Sequence, residues 1–409
     1  ARPGATLPEP RQLLEEHASL PVIGYSVTHD VASMPDWISP NLATQRAVVS
    51  LSRFNEYRFV RQHPVNQQLQ TDYQLNLFFS GSLAENQLDL FMTLLRARST
   101  EIVWSNRYTF PPPVDGGDLE SIGQVEVIVS GLLSPYGIIY GDLVGQENPP
   151  PRLSCVQSIY RYFSSENLQD YSTALSCAQE AIETGNAPSS IHALLAFLKV
   201  EAYRRELPGV SDDPLVDARE HATLAVTLDE ANARAYQAMF AIEKVEGNTE
   251  EAIALANRAM DLNPFDRDVI GDFAAYLISI GRLEEARESL ARATRLTPTA
   301  PAWLQFFQFL HADLTGDHAE ADRIVMATTR KDSPLIAIAK ILAHERNENP
   351  DLLPPAINIL LNNPSGFLKN PEQAFLRRGF SPELAKTLAG RIDRVLESDL
   401  YREMTTRTN

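Results

Sequence analysis

Four pairs of alanines, each pair seven residues apart, recur through the second half of this 409-residue chain. The last three pairs repeat at an interval of 34 residues. A fixed interval of this size is typical of stacked helix-turn-helix repeats, because one repeat cannot bury its apolar face without a neighbour. The period therefore constrains more than half of the chain to a stack of helical hairpins. The pairs are Ala174 and Ala181, Ala218 and Ala225, Ala252 and Ala259, and Ala286 and Ala293.

Other residues keep the same spacing as the alanine pairs. Gly247 and Gly281 lie 34 residues apart, as do Pro264 and Pro298. Each glycine falls between two helical patterns, where the chain turns, and each proline ends the second helix of its repeat. Segments 233–264 and 267–298 closely resemble the tetratricopeptide consensus. We predict about five such helix pairs over residues 152–333 and an atypical helical cap over residues 334–409.

The first 148 residues have no such period. Short alternating patterns, typical of strands, are mixed with helical ones, and two long alternating runs from Tyr73 and Gln87 are joined by a tight turn. A last short strand is predicted over residues 136–143. This mixture predicts a compact α/β layer domain over residues 21–148, preceded by a Pro-rich linker or stalk over residues 1–20. The expected fold class is an α+β chain of two domains, in which the α/β domain is followed by an all-α superhelix.

The first domain resembles the TolB amino-terminal-like α/β domain. The resemblance rests on the strand entry at Tyr73, the turn near Asn86 and the run from Trp104 to Tyr108. The order of the two domains resembles the periplasmic C-terminal region of CadC- or ToxR-like membrane-tethered transcriptional regulators. It is also similar to tetratricopeptide-containing adenylate cyclases.

This resemblance implies a non-catalytic sensory region, on the periplasmic face of the inner membrane of a Gram-negative bacterium. Such a region binds a partner protein or a ligand, acts as a homodimer, and relays its state to an output domain. DNA contact and membrane attachment then belong to segments upstream of this chain. Three alternatives stay open: a cytoplasmic tetratricopeptide adaptor, the regulatory region of a class III adenylate cyclase, and an enzyme with an unrecognised site at the loops of the α/β domain.

Charge and motifs exclude several other functions. The formal net charge is −17, and the Lys and Arg clusters that nucleic-acid phosphates require are not visible. The sequence contains no His-Glu-x-x-His motif, no nucleophile elbow and no phosphate-binding glycine loop. We therefore predict no catalytic residues, no metal site and no cofactor.

The first helices of stacked repeats line a concave face, which is the usual binding surface. A protein or peptide partner in this groove is therefore expected to contact Arg234, Gln237, Lys244 and Asp268. Trp303 and Phe306 of the next repeat are either aromatic anchors for the partner or core residues facing the C-terminal helices.

The two cysteines of the chain, Cys155 and Cys177, fall in the first and second helices of the first repeat. Antiparallel helices joined by a short turn can bring such residues into contact. Either the two form a disulfide, which fits an oxidising compartment such as the periplasm, or they are two small buried thiols.

Overall fold

The computed structural model describes residues 22–34, 58–61, 72–82, 86–110, 131–133 and 138–145 of the first part of the chain, with a few isolated positions beside them. From 151 to 398 it describes all residues except 186, 208–211, 265, 297–299, 329–332 and 363–364. The chain divides into two compact units, Ala1–Ser154 and Cys155–Asn409. The first contains a five-stranded sheet, and the described residues of the second form helices and turns. The predicted α+β chain of two domains is confirmed.

Five strands form the sheet of the first unit, in the order β2-β1-β3-β4-β5. β1 (Val22–His29) pairs in parallel with β2 (Arg58–Arg61) on one side and with β3 (Tyr73–Ser82) on the other. β3, β4 (Gln87–Arg96) and β5 (Ile102–Phe110) are antiparallel neighbours, so the hairpin predicted from the alternating runs is present.

The two faces of the sheet differ in burial. Leu77 and Met92 are paired on one face and are fully buried. Phe78 and Phe91 are paired on the opposite face, where they are 39% and 37% exposed. Because successive side chains of a strand point to opposite faces, this difference follows from the alternation in the sequence.

One segment predicted as a strand is a helix. Residues 136–143 were expected to extend, but α1 (Ile138–Val144) is helical. Its residues Ile139 and Leu143 are buried and lie four positions apart, the spacing at which two side chains share one face of a helix. The short apolar run is therefore the buried face of a helix, a case that periodicity alone does not separate from a strand.

A bidentate ion pair connects this helix to the sheet. Asp142 accepts hydrogen bonds from Nε of Arg96 at 3.1 Å and from its Nη2 at 2.6 Å. The hydroxyl of Tyr73 donates to the same carboxylate at 2.5 Å. Helix α1 is therefore held against β3 and β4 by charge-assisted hydrogen bonds as well as by apolar burial.

Helices occupy the second unit in consecutive pairs. Their bounds are α2 (Pro151–Ser165), α3 (Leu168–Glu183), α4 (Ser189–Arg205), α5 (Pro214–Leu228), α6 (Ala233–Glu246), α7 (Thr249–Leu262), α8 (Arg267–Ser279), α9 (Leu283–Arg295), α10 (Ala302–Leu314), α11 (His318–Ala327), α12 (Pro334–Asn347), α13 (Leu353–Asn362), α14 (Pro371–Leu376) and α15 (Pro382–Leu396). A short 3-10 turn, Pro350–Leu352, precedes α13. Helix pairing continues beyond residue 333, and α15 packs back against α12.

The repeat residues occupy the positions that the period predicts. Seven of the eight paired alanines are fully buried, and Ala181 is half-buried. A larger side chain at these sites would separate tightly packed helices. Gly247 and Gly281 have φ of 80° and 81°, the left-handed conformation in which glycine ends a helix without a Cβ penalty.

The predicted linker or stalk over residues 1–20 lies outside the described residues. Within the part of the chain that the structure describes, no helix is long and apolar enough to cross a bilayer.

Candidate functional site

The first helices of successive pairs pack on one another and form what we call the inner row, α4, α6, α8, α10 and α12. The second helices pack mainly against the first helices of their own or the neighbouring pair. This arrangement places the inner row where a stack of repeats offers a partner its binding surface. The inner row is therefore the candidate functional site.

The chain itself covers part of this row. The closing segment, Arg377–Ser381, lies between α14 and α15 and contacts one inner helix after another. Nη1 of Arg377 donates to the carbonyl oxygen of Tyr203 in α4 at 3.2 Å, and its Nη2 pairs with Glu206 at 2.6 Å. The backbone N–H of Ser381 donates to the carbonyl of Ser279 in α8 at 3.0 Å.

Between these two contacts the backbone of the closing segment touches α6. A Cβ built on Gly379 would lie 2.7 Å from the backbone oxygen of Lys244, so only glycine permits the approach. The next residue, Phe380, stacks on Phe307 of α10 with ring centroids 6.0 Å apart. Four inner helices are thus contacted by five consecutive residues.

The residues predicted to contact a partner point into this covered interior. Arg234 and Gln237 are 7% and 4% exposed, and Arg234 pairs with Asp266 at 2.6 Å. The carboxylate of Asp268 lies 3.5 Å from Arg267 and 4.0 Å from Arg234. These side chains bind one another, so none of them is available to a partner in this conformation.

Lys244 is likewise buried and bonded. It is 4% exposed, and its Nζ donates to Asp272 at 2.8 Å. Burial raises the pKa of Asp272, but Lys244 and Arg204 lower it more, so the carboxylate is held in its charged form. Lys244 therefore neutralises an interior carboxylate and does not project into an open groove.

Both aromatic candidates are packed inside the fold. Phe306 is fully buried in the core formed with the C-terminal helices, so the core alternative describes it. Trp303 is half-buried, and its ring lies over Gly271 of α8, where a Cβ would come within 2.7 Å. Neither side chain is placed to anchor a peptide.

A network of polar and charged groups joins α2 to the first inner helix, α4. Nη1 of Arg204 donates to Glu201 at 2.8 Å, and the hydroxyl of Tyr162 donates to the same carboxylate at 3.3 Å. Nη1 of Arg205 donates to the backbone oxygen of Glu166 at 2.8 Å. These residues were not predicted from the sequence. The charged residues that directly follow the apolar stretch of α4 are nevertheless a sequence pattern that indicates a polar interior.

A hydrogen bond between Ser333 and Glu166 connects the end of the helical stack to its beginning. The hydroxyl of Ser333 donates to the carboxylate of Glu166 at 2.7 Å, across 167 positions of sequence. Burial raises the pKa of Glu166, which favours its neutral form. The pKa of Arg378 is lowered to about 10, because burial, Arg204 and Arg205 lower it more than Glu201 and Glu166 raise it.

A histidine pair lies between α4 and α5. The Nδ1 atoms of His192 and His221 are 3.2 Å apart, so one ring donates to the other. Burial and the neighbouring His221 lower the pKa of His192 to about 4. Burial and Lys199 lower the pKa of His221 as well, although Glu220 raises it. Both rings are therefore held neutral.

The structure joins Cys155 of α2 and Cys177 of α3 in a disulfide, with Cα atoms 5.5 Å apart. This separation is typical of bonded cysteines. The bond crosslinks the two helices of the first pair. Elsewhere among the described residues no three His, Cys, Asp or Glu side chains are grouped so as to hold a metal ion.

A match to a family profile supports the repeat assignment. The profile of the tetratricopeptide repeat family matches residues 246–306. Among solved structures, one described as "Functional Characterization of Pseudomonas Aeruginosa pilF" is similar at 15% identity with a TM-score of 0.34. The match covers 52% of this chain and 99% of that one. No curated protein matches the chain.

Proposed function

We propose that this chain is a non-catalytic protein-interaction and sensory region of a membrane-tethered bacterial signalling protein. The observation that carries the proposal is the stack of tetratricopeptide-type hairpins, which matches the family profile over residues 246–306. Stacked repeats of this kind present extended surfaces to other proteins. The output domain and the membrane helix belong, on this proposal, to segments outside the chain.

Because the predicted contact residues of the inner row are buried and bonded to one another, the partner is expected to bind elsewhere on the molecule. Among the described residues, eight large apolar side chains are exposed, and three of them are Phe or Met. Phe78 and Phe91 lie 6.0 Å apart on the open face of the sheet, with the guanidinium of Arg107 over the second ring at 5.4 Å. Met326 of α11 is 67% exposed on the helical unit. Aromatic residues, Met and Arg are enriched at protein interfaces.

Site-specific photo-crosslinking in intact cells tests this function. A photoreactive residue is placed at Phe91 or at Met326, with Glu284 as control because its side chain is 75% exposed in a surface ion pair. The proposal predicts that Phe91 or Met326 yields a defined crosslinked protein that the control does not yield. Crosslinks at neither position, or equal crosslinks at all three, contradict a specific partner surface here.

The disulfide supports a periplasmic location, since disulfides persist in oxidising compartments and are rare in the cytosol. Thiol titration of the protein from its native host, denatured without reductant, is expected to find no free thiol at Cys155 and Cys177. Two free thiols favour the cytoplasmic adaptor instead. A span of about 20 apolar residues encoded upstream distinguishes a tethered protein from a free one.

A further inference from the structure

Arg204 presents an unused pair of donors. Its Nη1 is bonded to Glu201, but its Nε and Nη2 are buried and have no hydrogen-bond partner among the described residues. The guanidinium is planar, and the N–H bonds of these two atoms point the same way, so they form one fork. An unmet buried donor of a charged group costs free energy, and a native fold normally satisfies it.

The same edge of arginine binds carboxylates elsewhere in this molecule. Arg96 uses Nε and Nη2 to hold Asp142, at 3.1 and 2.6 Å. Arg107 uses the same two atoms to hold Asp89, at 3.2 and 2.8 Å. Two parallel N–H groups match the two oxygens of a carboxylate in distance and direction. The fork of Arg204 is therefore the donor half of a carboxylate site.

The surroundings of Arg204 carry an excess of positive charge. The interior charge cluster, whose members influence one another electrostatically, contains four cationic residues and three carboxylates. Its members are Arg204, Arg205, Lys244 and Arg378, with Glu166, Glu201 and Asp272. The adjacent group, Arg234 and Arg267 with Asp266 and Asp268, is balanced. The formal net charge of the whole chain is −17, so this positive charge is a local feature of the interior. A local positive potential attracts an anion.

Arg378 adds to this excess because no carboxylate bonds to it among the described residues. Its Nη1 donates to the backbone oxygen of Ala374 at 2.7 Å, and its Nη2 to that of Ser365 at 3.3 Å. Its guanidinium also lies over the ring of Phe367, 4.5 Å from the centroid. Carbonyl oxygens and a ring face stabilise the cation but leave its charge uncompensated.

We propose that a small organic acid binds through its carboxylate to the Nε and Nη2 edge of Arg204, beside Arg378, inside the inner row. The closing segment lies against the same end of α4, since Arg377 contacts Tyr203 and Glu206. Because both donor atoms of Arg204 are buried, the proposed ligand is a small molecule. A small molecule enters by a local opening of the segment, whose pair between Arg377 and Glu206 is partly exposed and weak. This site does not depend on the proposed protein partner.

Thermal unfolding of the whole chain in the presence of simple carboxylates tests the site. Sodium acetate and sodium succinate replace sodium chloride at constant ionic strength. Because a ligand that binds only the folded state stabilises it by mass action, the melting temperature is expected to rise saturably by about 3 °C or more. Chloride has no pair of oxygen atoms to accept the two hydrogen bonds of the fork, so it is expected to give no such rise.

Matched variants assign the effect to the fork. Arg204→Lys keeps the charge and removes the paired donors, and it is expected to abolish the carboxylate-dependent rise. Arg287→Lys changes an exposed surface ion pair and is expected to leave the rise intact. Equal rises in both variants, or no rise with either carboxylate in the unsubstituted chain, overturn the proposal.

A second measurement needs no substitution and so does not depend on the folding of a variant. In nitrogen-15 spectra of the arginine Nε–H groups, the resonance of Arg204 is identified because it is missing from the spectrum of Arg204→Lys. Titration with a carboxylate is expected to shift this resonance. If the variant does not fold, the expected result is a shift of one solvent-protected resonance. Unchanged protected resonances up to saturating succinate show that water alone satisfies the fork, and they contradict the site.

Discussion

Substituting Gly379 with alanine tests whether the closing segment touches α6. The residue has φ of 80°, a conformation in which a Cβ costs roughly 1–2 kcal/mol. The added Cβ would also lie 2.7 Å from the backbone oxygen and the Cγ of Lys244. The backbone of a packed helix moves little to make room for an added atom. Overpacking of this kind costs roughly 1–3 kcal/mol more. We expect Gly379→Ala to lower the free energy of unfolding by roughly 2–5 kcal/mol, the sum of the two effects.

Gly281 provides the matched control. It has φ of 81° in the same helical unit, but a Cβ built there meets no atom within 4 Å. Gly281→Ala therefore carries the backbone cost alone, roughly 1–2 kcal/mol. Urea unfolding followed by circular dichroism gives both free energies, and the difference between the two variants isolates the contact with Lys244. If the two substitutions cost the same, the segment does not lie against α6 and the covered inner row is refuted.

Two further predictions concern buried polar groups. The pKa values of His192 and His221 are lowered by folding, from about 6.5 in the unfolded chain. Stability is therefore complete above that pH and falls as the pH drops toward the folded pKa of His192, about 4. His221→Gln is expected to flatten this decline in urea titrations. Asp313 is buried between two arginines, one of them Arg391 of α15 at 2.5 Å, and Asp313→Ala is expected to cost about 3–5 kcal/mol. The exposed control Glu284→Ala is expected to cost less than about 1 kcal/mol in the same assay.

The helical stack could be predicted because its signals are local and repeat. The buried alanines, the left-handed turns at Gly247 and Gly281 and the alternating runs of β3 and β4 each follow from a short stretch of sequence. The helix α1 could not be predicted with the same security, since seven residues carry too few turns to separate a helix from a buried strand.

The covering of the inner row could not be predicted from the repeat at all. Consensus positions identified side chains that point inward, such as Arg234 and Lys244, but the period does not say what lies over them. The contacts that close the interior join residues 167 and 174 positions apart, Ser333 with Glu166 and Arg377 with Tyr203. Such contacts depend on the rotation accumulated over all the repeats, because the small rotation between successive repeats determines where the two ends of the stack lie.

The disulfide could be predicted from the sequence only in part. Two cysteines in neighbouring helices left two alternatives open, a bond or two buried thiols. The choice depends on whether the two Cα atoms lie within bonding range, and the geometry of the first helix pair places them 5.5 Å apart. Sequence spacing limits that distance but does not determine it, because the crossing angle and the rotation of each helix also contribute.

Hydrogen exchange at the backbone amide of Ser381 tests most directly whether the chain covers its own inner row. This amide donates to the carbonyl of Ser279 in α8, outside any regular helix. If the closing segment rests on the inner row, the amide is protected to nearly the same extent as the core amides of α8. Exchange as fast as in an unstructured peptide, with α8 still protected, would show an open inner row and contradict the account.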